Sequence, residues 1–247
     1  MKPDSPFYAH TLEVLKQSEL FGGLEEAVIQ DMLIMFRRET WLRKSIVMDP
    51  EETLKHFFVI ISGRVKAIRI NPNTGKELTI SLLRPGDGFD VLPLLDGKKH
   101  NISFMALDDL EVLSAPFNIV HEWIEKHPCF NGACLSYVGK QMRQIANLTF
   151  DLALQDTGTR LMKLFLQNTV QDSPHPRLKL INDLSNEELA GMIGSVRVVV
   201  SRYMQTLKEE GVIDAHRGSV EIKDLHTLVE KIEHHVGLST GNKSNTN

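Results

Sequence analysis

The residues with the clearest chemistry in this chain are two arginines that flank a valine on a short helical segment. Apolar residues at three- and four-residue spacing predict its buried stripe, namely Val200, Tyr203 or Met204, and Leu207. The positions left facing outward are Arg197, Val198, Ser201, Arg202 and Gln205. An arginine can pair bidentately with a guanine edge, and a valine methyl can contact a thymine methyl. The pattern predicts a surface that reads base edges in the major groove of DNA.

Three consecutive valines strengthen this prediction. A helix turns about 100° per residue, so Val198, Val199 and Val200 cannot all be buried. At least one β-branched side chain must therefore face outward between the arginines, which a major groove favours and a solvated surface does not. From the bare pattern, an ordinary helical hairpin with a mixed surface remains the alternative.

A first helix must hold this segment in place, and the preceding residues predict one. Ser185 and Glu188 have the spacing of a capping box. The buried face of the helix is predicted to comprise Leu189, Met192 and Ile193. Gly194 suits the turn that follows, and Ser195 is predicted to cap the second helix.

A small hairpin is predicted after the second helix. Its strands are indicated by Val212 and Ile213 on one side and by Val220 and Ile222 on the other. His216 and Arg217 fall at its tip, where basic side chains suit phosphate contact. Two helices followed by such a hairpin have the outline of a winged helix-turn-helix.

The charge of the chain does not by itself suggest DNA binding. Its 247 residues carry 28 Lys and Arg against 32 Asp and Glu, a formal net charge of −4. From residue 184 to 223 there are five basic and six acidic side chains, so the signal lies in their placement. Because net attraction is weak, tight binding is predicted to need a dimer, or an activated state, that aligns two such faces.

Targeting and redox signals favour the cytoplasm. No apolar stretch approaches the roughly 18 to 20 residues of a membrane span, and no signal-peptide core is present at the N-terminus, so no membrane partner is expected. Cys129 and Cys134 fit neither a CxxC metal pair nor a disulfide framework. They are expected to be reduced thiols. The polar tail 239–247 is predicted to be disordered.

Residues 37 to 117 carry short apolar runs separated by turn signals. Phe57 to Ile61 and residues 65–70 are predicted to be paired strands joined near Gly63. Hairpin turns are predicted at residues 71–75 and 85–87. Many short strands at this spacing predict a small antiparallel barrel or jelly roll, which with the helices makes the chain α+β.

A longer helix is predicted between barrel and DNA module, from Cys134 to Leu152. Its apolar residues follow a heptad-like register broken by Thr149, namely Leu135, Val138, Met142, Ile145 and Leu152. Such a seam favours a parallel two-helix coiled coil and hence a homodimer. The alternative is that the seam is the core-facing stripe of the helix, since Leu148 and Phe150 offer competing faces. Asp156 to Gly158 is predicted to end the helix as a hinge and cap.

Taken in order, these parts resemble the Crp/Fnr superfamily of bacterial transcription regulators. The specific segments are ISGRVKAIRINPNTGKELTISLLRPGDGF, similar to a cyclic-nucleotide-binding barrel, and IGSVRVVVSRYMQTLKEEGVI, similar to a recognition helix. The resemblance implies an effector-sensing jelly-roll domain over residues 1–128, a dimerisation helix over 129–155 and a winged helix-turn-helix over 156–238. It implies an effector-responsive homodimer that binds palindromic promoter DNA. No nucleophile elbow, phosphate-cradling loop or metal spacing suggests an enzyme.

Departures from the superfamily pattern bear on the DNA sequence. By position, the base-reading arginines fall on Arg197 and Arg202, and phosphate contacts fall near Ser185, Val199 and His216. The catabolite-activator branch has a glutamate in place of Val198, which helps to read a C·G pair. The segments GSVRVVVSR and EVLSAPFNIVHEWIEKHP are instead more similar to the nitrogen-control activators of cyanobacteria. This likeness implies half-sites that are GTA-like rather than TGTGA-like.

The effector cassette departs from the pattern more strongly. The catabolite-activator branch holds cyclic AMP with a glutamate, an arginine and a serine, whereas this chain has Val91, His100 and Asn101 at or near those positions. Because the main charged contacts are lost, cyclic AMP is not expected. A dicarboxylate, as bound by the nitrogen-control group, would meet only Lys98, Lys99, His100 and Arg143. The long-helix positions that hold it in that group are Gln141 and Ala146 here.

Other cofactors of the superfamily also find few ligands here. Two cysteines cannot hold an Fe–S cluster, and Phe89 to Leu95 has no His or Cys where the carbon monoxide sensors place haem ligands. His100 or His121 leaves a haem-based gas or redox sensor open. The predicted effector-binding residues suit a less polar ligand, or a filled barrel with none: Phe89, Val91, Leu92, His100, Asn101, Ile102, Gln141 and Met142.

The resemblance also implies a switching mechanism and partners. An effector would change the seam near Met142 and Ile145 and swing the DNA-binding domains about Asp156 until two recognition helices lie about 34 Å apart. The segment NTVQDSPHPRLKL resembles the surface that contacts RNA polymerase, although a plain hairpin would have the same sequence pattern. A constitutive DNA-binding regulator of the same fold remains an alternative.

Overall fold

A computed structural model describes residues 5–48, 55–170, 177–216 and 219–236 of the chain. The chain divides into two compact units, the first ending at Ala146 and the second beginning at Asn147. This boundary falls inside a long helix, whereas the sequence suggested that the helix is a segment of its own. The three-part division by function remains a prediction, and the 239–247 tail lies outside the described residues.

The described part of the first unit contains a jelly roll of short antiparallel strands. They are β1 (Arg37–Trp41), β2 (Ile46–Met48), β3 (His56–Ser62), β4 (Val65–Ile70), β5 (Glu77–Leu83), β6 (Gly88–Phe89), β7 (Ser103–Ala106) and β8 (Leu110–Pro116). One four-stranded sheet has the order β1-β8-β3-β6, and the other has the order β2-β7-β4-β5. This arrangement confirms the predicted barrel.

The predicted pairing of β3 with β4 is wrong. β3 pairs with β6 and β8, whereas β4 pairs with β5 and β7 in the other sheet. The turn at Gly63 carries the chain between sheets, with a φ of 84°. A Cβ on Gly63 would lie 2.7 Å from the Asp109 carbonyl oxygen, so the turn is packed against the β7–β8 connection.

The two other predicted turns differ in what they join. Residues 71–75 form the hairpin between β4 and β5, in which the Asn71 side chain accepts from the amides of Asn73 and Thr74 at 2.9 and 3.2 Å. Residues 85–87 do form a turn, with Gly86 at a φ of 90°. That turn passes from β5 in one sheet to β6 in the other, so it is not a hairpin.

Helices pack on the outside of the barrel. They are α1 (Pro6–Lys16), α2 (Glu26–Met35), α3 (Val91–Asp96), α4 (Phe117–Lys126) and α5 (Cys129–Leu154). One apolar cluster lies between these helices and the barrel and includes the fully buried Trp123 and Phe130. A second fills the barrel with stacked aromatic rings, including Phe58, Phe89 and Phe104. Each such ring contributes about 1.5–3 kcal/mol by burial.

Only the first part of α5 belongs to the core. Phe130, Cys134 and Tyr137 are its buried residues. Both cysteines are free, with Cys129 exposed and Cys134 buried. Burial raises the pKa of the Cys134 thiol to about 12, which keeps this thiol in its unreactive protonated form.

The second unit is built from helices around a small sheet. Its elements are α6 (Thr157–Gln167), β9 (Thr169–Val170), β10 (Arg177–Leu178), α7 (Asn186–Met192), α8 (Arg197–Glu209), β11 (Ile213–His216), β12 (Ser219–Ile222) and α9 (Leu225–Val236). The sheet order is β11-β12-β10-β9, so the predicted hairpin β11–β12 is extended by two further strands. In the described part of the chain, no helix is both long and apolar enough to cross a membrane.

Asp156 caps α6, as predicted. Its carboxylate accepts from the amides of Gly158 and Thr159 at 2.8 and 3.1 Å and from the Thr159 hydroxyl at 2.6 Å. Gly158 is also packed against α8, because a Cβ there would lie 2.5 Å from Cε1 of Tyr203. The start of α6 therefore fixes the position of Tyr203 on α8.

Candidate nucleic-acid interface and effector pocket

The first helix of the DNA module is held by the predicted capping box. The Glu188 amide donates to the Ser185 hydroxyl at 3.2 Å, and the Ser185 amide donates to the Glu188 carboxylate at 2.7 Å. The predicted buried face is confirmed, since Leu189, Met192 and Ile193 are all buried. α7 therefore presents a rigid apolar surface to α8.

The turn into α8 follows the prediction only in part. Gly194 has the expected left-handed conformation, with a φ of 63°. Ser195 does not cap α8, however, because it lies one residue before the N-cap; its amide donates to the Ala190 carbonyl at 2.8 Å and closes the turn. Val196 is the N-cap, and its side chain has no acceptor to offer the first-turn amides. The first-turn amides of α8 therefore have no side-chain cap.

The three valines of α8 divide as the helical geometry requires. Val200 is fully buried, Val199 is half-buried, and Val198 is 78% exposed. Of the two candidates for the next stripe position, Met204 is buried and Tyr203 is half-buried. An exposed valine therefore stands beside the exposed Arg197.

The other predicted DNA-contacting residues differ in their exposure and in their hydrogen-bond partners. Arg202 is exposed, with its guanidinium 5.6 Å from the Tyr203 ring. Gln205 is exposed and donates to Glu209 at 2.8 Å. Ser201 is half-buried, and its hydroxyl accepts from the side-chain amide of Asn186 at 2.9 Å, so it connects α8 to α7. His216 is exposed at the end of β11, 3.1 Å from the Asp214 carboxylate, while Arg217 lies outside the described residues.

A largely apolar cavity of about 120 Å³, open to solvent, lies in the first unit. Seven of the predicted effector-binding residues line it: Phe89, Val91, Leu92, His100, Ile102, Gln141 and Met142. Asn101, which precedes β7, is exposed and does not line it. Lys98, Lys99 and Arg143 do not line it either, so no Lys or Arg is found among its described lining residues.

Sequence reasoning missed the one carboxylate among the described lining residues of this cavity, Asp90. Its side chain is fully buried, and its backbone is left-handed, with a φ of 64°. Oδ1 lies 2.8 Å from Nε2 of His100, whose Nδ1 accepts from the Ile102 amide at 3.3 Å. Since Nδ1 is an acceptor, Nε2 carries the proton and donates to Asp90. The other oxygen, Oδ2, has no hydrogen-bond partner among the described residues.

The histidines considered as haem ligands are both engaged elsewhere. Nε2 of His100 faces Asp90, and Nε2 of His121 lies 2.8 Å from the Leu94 carbonyl oxygen. His121 does not line the cavity.

Tyr137 connects α5 to the barrel beside the cavity. Its hydroxyl donates to the Gly88 carbonyl at 3.2 Å, and burial raises its pKa above the ordinary 10. Burial likewise raises the pKa of the neighbouring Asp87, whose carboxylate accepts from the Arg84 amide at 2.9 Å. The helix is thus attached to the strand that forms the floor of the cavity.

The predicted dimer seam is not the core-facing stripe of α5. Leu135 is 69% exposed, Met142 66% and Ile145 42%, whereas Val138 and Leu152 are half-buried. The buried residues of the helix are Phe130, Cys134 and Tyr137, and of the seam residues Val138 packs against the same core cluster. Val138, Met142 and Ile145 also line the cavity, so one stretch of helix serves two surfaces.

Comparisons with known proteins agree with this architecture. Residues 38–127 match the cyclic nucleotide-binding domain family, and residues 159–231 match the Crp-like helix-turn-helix domain family. The global nitrogen regulator of Nostoc sp. is 30% identical over 77% of this chain and 86% of its own length. The CRP-like cAMP-activated global transcriptional regulator of Mycobacterium tuberculosis is 25% identical over 89% of this chain and 98% of its own length.

Solved structures show the same fold. A CooA mutant from Carboxydothermus hydrogenoformans superposes with a TM-score of 0.68 at 22% identity, covering 82% of this chain and 90% of its own. The c-di-GMP responsive global regulator CLP of Xanthomonas campestris superposes with a TM-score of 0.69 at 16% identity, covering 80% and 99%. The two family matches, together with 30% identity to the global nitrogen regulator of Nostoc sp. over 77% of this chain, lead to one conclusion: the chain belongs to the Crp/Fnr superfamily and is a transcription regulator, not an enzyme.

Proposed function

We propose that the protein is a cytoplasmic homodimer that binds palindromic promoter sites with GTA-like half-sites and responds to a small-molecule effector. The observation that carries the DNA preference is the exposure of Val198 next to Arg197. Arg197 and Arg202 are the base-reading residues in this proposal, and Val198 contacts a thymine methyl.

Phosphate contacts complete the proposed interface. The open N-terminus of α8 near Val199 suits a phosphate, because its amides are not capped by a side chain. Ser185 at the start of α7 and His216 with Arg217 on the hairpin are the other proposed contacts. Gln205 is the remaining proposed base contact, and Ser201 acts through the spacing of α7 and α8.

The proposed dimer uses the exposed seam of α5. Full burial of a side chain of the size of Leu or Met contributes about 1.5–3 kcal/mol. Leu135 and Met142 are largely exposed in the single chain, and each occurs twice in a dimer. Association through this seam would also set two recognition helices at the spacing that a palindrome requires.

Effector control is supported by the residues that the seam and the cavity share. A ligand that displaces Met142 or Ile145 changes the surface offered to the second protomer. α5 runs on without interruption to Leu154, next to the Asp156 cap, which is the proposed hinge. A cyclic phosphate does not fit this cavity, because no Lys or Arg lies among its described lining residues.

RNA polymerase is the proposed further partner. The segment 168–180 that resembles a polymerase contact forms the pair β9–β10 at one side of the sheet. Its central residues 171–176 lie outside the described residues.

Selection of bound sequences from randomised duplex DNA tests the proposal. We expect a two-fold palindrome with GTA-like arms, and enrichment of TGTGA-like arms would refute the proposed preference. The variant Val198→Glu should gain preference for a C·G pair at one position in each arm, by about 1–3 kcal/mol or about 5- to 150-fold. Thr206→Glu, which adds the same charge to α8, should weaken binding without changing the preferred sequence.

A gel-shift series with the selected site tests effector control. Small-molecule extract of cells should change the affinity of the protein for the site at fixed salt. An affinity that does not respond to extract would identify a constitutive regulator instead.

A further inference from the structure

Next to the cavity in the first unit lies one acceptor, Oδ2 of Asp90, that no described residue satisfies. Asp90 lines the cavity, its side chain is 0% exposed, and Oδ2 has no hydrogen-bond partner among the described residues. A buried polar atom without a partner costs stability, more so when its group is charged. A ligand group that donates a hydrogen bond to this oxygen would therefore remove the free-energy cost of leaving it unsatisfied in the folded protein.

The neighbouring histidine cannot fill this role. The Ile102 amide donates to Nδ1 of His100, which leaves Nε2 as the only ring donor. That donor is used on Oδ1 at 2.8 Å. Oδ2 of Asp90 is therefore an acceptor without a donor, and a ligand that carries a hydrogen-bond donor would complement it.

The remaining lining sets the rest of the ligand. The walls are mainly apolar and aromatic side chains, among them Ile80, Phe89, Ile102 and Phe104. No Lys or Arg is present among the described lining residues, so an anionic ligand would meet the Asp90 carboxylate without a counter-charge. The cavity volume of about 120 Å³ is close to the roughly 150 Å³ of an apolar cavity that binds benzene, and the open mouth leaves room for a short side arm.

Asp90 is also held in an unusual backbone conformation. A φ of 64° is uncommon for residues other than glycine, although aspartate and asparagine adopt it more readily than most. Its side chain does not cap α3, which begins at the next residue. The conformation is therefore not explained by helix capping.

We propose that the cavity, taken as the effector site of the proposed function, selects a small and largely apolar molecule whose ammonium or hydroxyl group donates to Oδ2 of Asp90. The oxygen is covered in the structure, so a donor reaches it through a rotation of the carboxylate or a small shift of its neighbours. Met142 is an unbranched, adaptable side chain on the cavity wall that can make such room.

A matched series of probes tests the proposal on the full chain. 2-Phenylethylamine, 2-phenylethanol, 3-phenylpropionate and ethylbenzene share one apolar body and differ in the polar group. Isothermal titration should show that the amine or the alcohol binds at least 10-fold more tightly than the carboxylate and the hydrocarbon. Preference for the amine over the alcohol would identify a cationic ligand, and the reverse a neutral one.

The variant Asp90→Asn isolates the oxygen. Asparagine tolerates the left-handed backbone and can still accept from His100, but its NH₂ replaces Oδ2 with a donor. We expect the preferred probe to lose at least 5-fold in affinity, whereas Glu122→Gln, an exposed site on α4 with the same chemical change, should bind it as the parent does. Should Asp90→Asn fail to fold, the ranking of the four probes on the parent protein decides alone.

Three results would overturn the proposal: tightest binding of 3-phenylpropionate, equal binding of all probes, or binding of none at millimolar concentration. The DNA selection separates this from the proposed function. A GTA palindrome without donor preference removes the ligand class only, whereas donor preference without a palindrome removes the proposed DNA preference only.

Discussion

Replacement of Gly158 by alanine tests whether the start of α6 positions the recognition helix. The added Cβ would lie 2.5 Å from Cε1 of Tyr203 and 3.0 Å from Cδ1 and Cζ, where ordinary carbon contacts are about 3.5–4.0 Å. Tyr203 must therefore move by about 1 Å. Its helix is anchored on either side by the buried Val200 and Met204, so the ring cannot retreat with the helix.

The magnitude follows from two opposing terms. Overpacking of this kind typically costs about 1–3 kcal/mol, while alanine in place of a helical glycine contributes at most about 1 kcal/mol. We expect Gly158→Ala to lower the free energy of unfolding of the second unit by about 1 kcal/mol, or about 4–8 °C in its melting temperature. DNA affinity should fall as well, because Arg202 neighbours the displaced ring.

Hydrogen exchange of the α8 amides, read alongside calorimetry, assigns the effect to the second unit. Gly132 on α5 is the matched control, since a Cβ there meets nothing within 4 Å, and Gly132→Ala should stabilise by about 0.5–1 kcal/mol. In a double-mutant cycle, Tyr203→Ala should remove most of the cost of Gly158→Ala. If Gly158→Ala stabilises as much as Gly132→Ala does, the proposed positioning contact is refuted.

Two further predictions concern α5. Leu135→Asp should dissociate the proposed dimer at micromolar concentration in sedimentation velocity, since it places two carboxylates in the seam at a cost of several kcal/mol. The control variant Ser136→Asp, one position further along the helix, should remain dimeric. A Leu135→Asp variant that is still a dimer would rule out this seam. Burial raises the pKa of Cys134 to about 12, so at pH 8 only about one thiol in 10,000 is ionised. Mass spectrometry after brief treatment with iodoacetamide should find Cys129 alkylated and Cys134 intact, with both modified in denaturant; rapid alkylation of native Cys134 would contradict its burial.

The parts of the fold that were predictable from the sequence are those specified by local pattern. The capping box at Ser185 and Glu188 and the split burial of the three valines need only helical geometry. Strand partners are not local. The runs at 57–61 and 65–70 read as a hairpin because they adjoin Gly63, but jelly-roll topology sends them to different sheets.

The candidate sites show the same division. Ser195 looked like a cap by residue type, and only the structure reveals that its amide is used on Ala190 to close the turn. Most of the cavity residues were found because the cassette could be placed by resemblance. Asp90 was missed, since a buried aspartate within an apolar run has no periodic signature, and its importance depends on which neighbours leave Oδ2 unsatisfied.

The double use of Met142 and Ile145 makes subunit association and ligand affinity a single linked equilibrium in the proposed dimer. If a ligand strengthens association by some factor, association must strengthen ligand binding by the same factor. The concentration of the protein itself would then set its sensitivity to the signal. A cell that makes more of the regulator would shift the threshold of the response as well as its amplitude, and substitutions selected for a new ligand would retune that threshold at the same time.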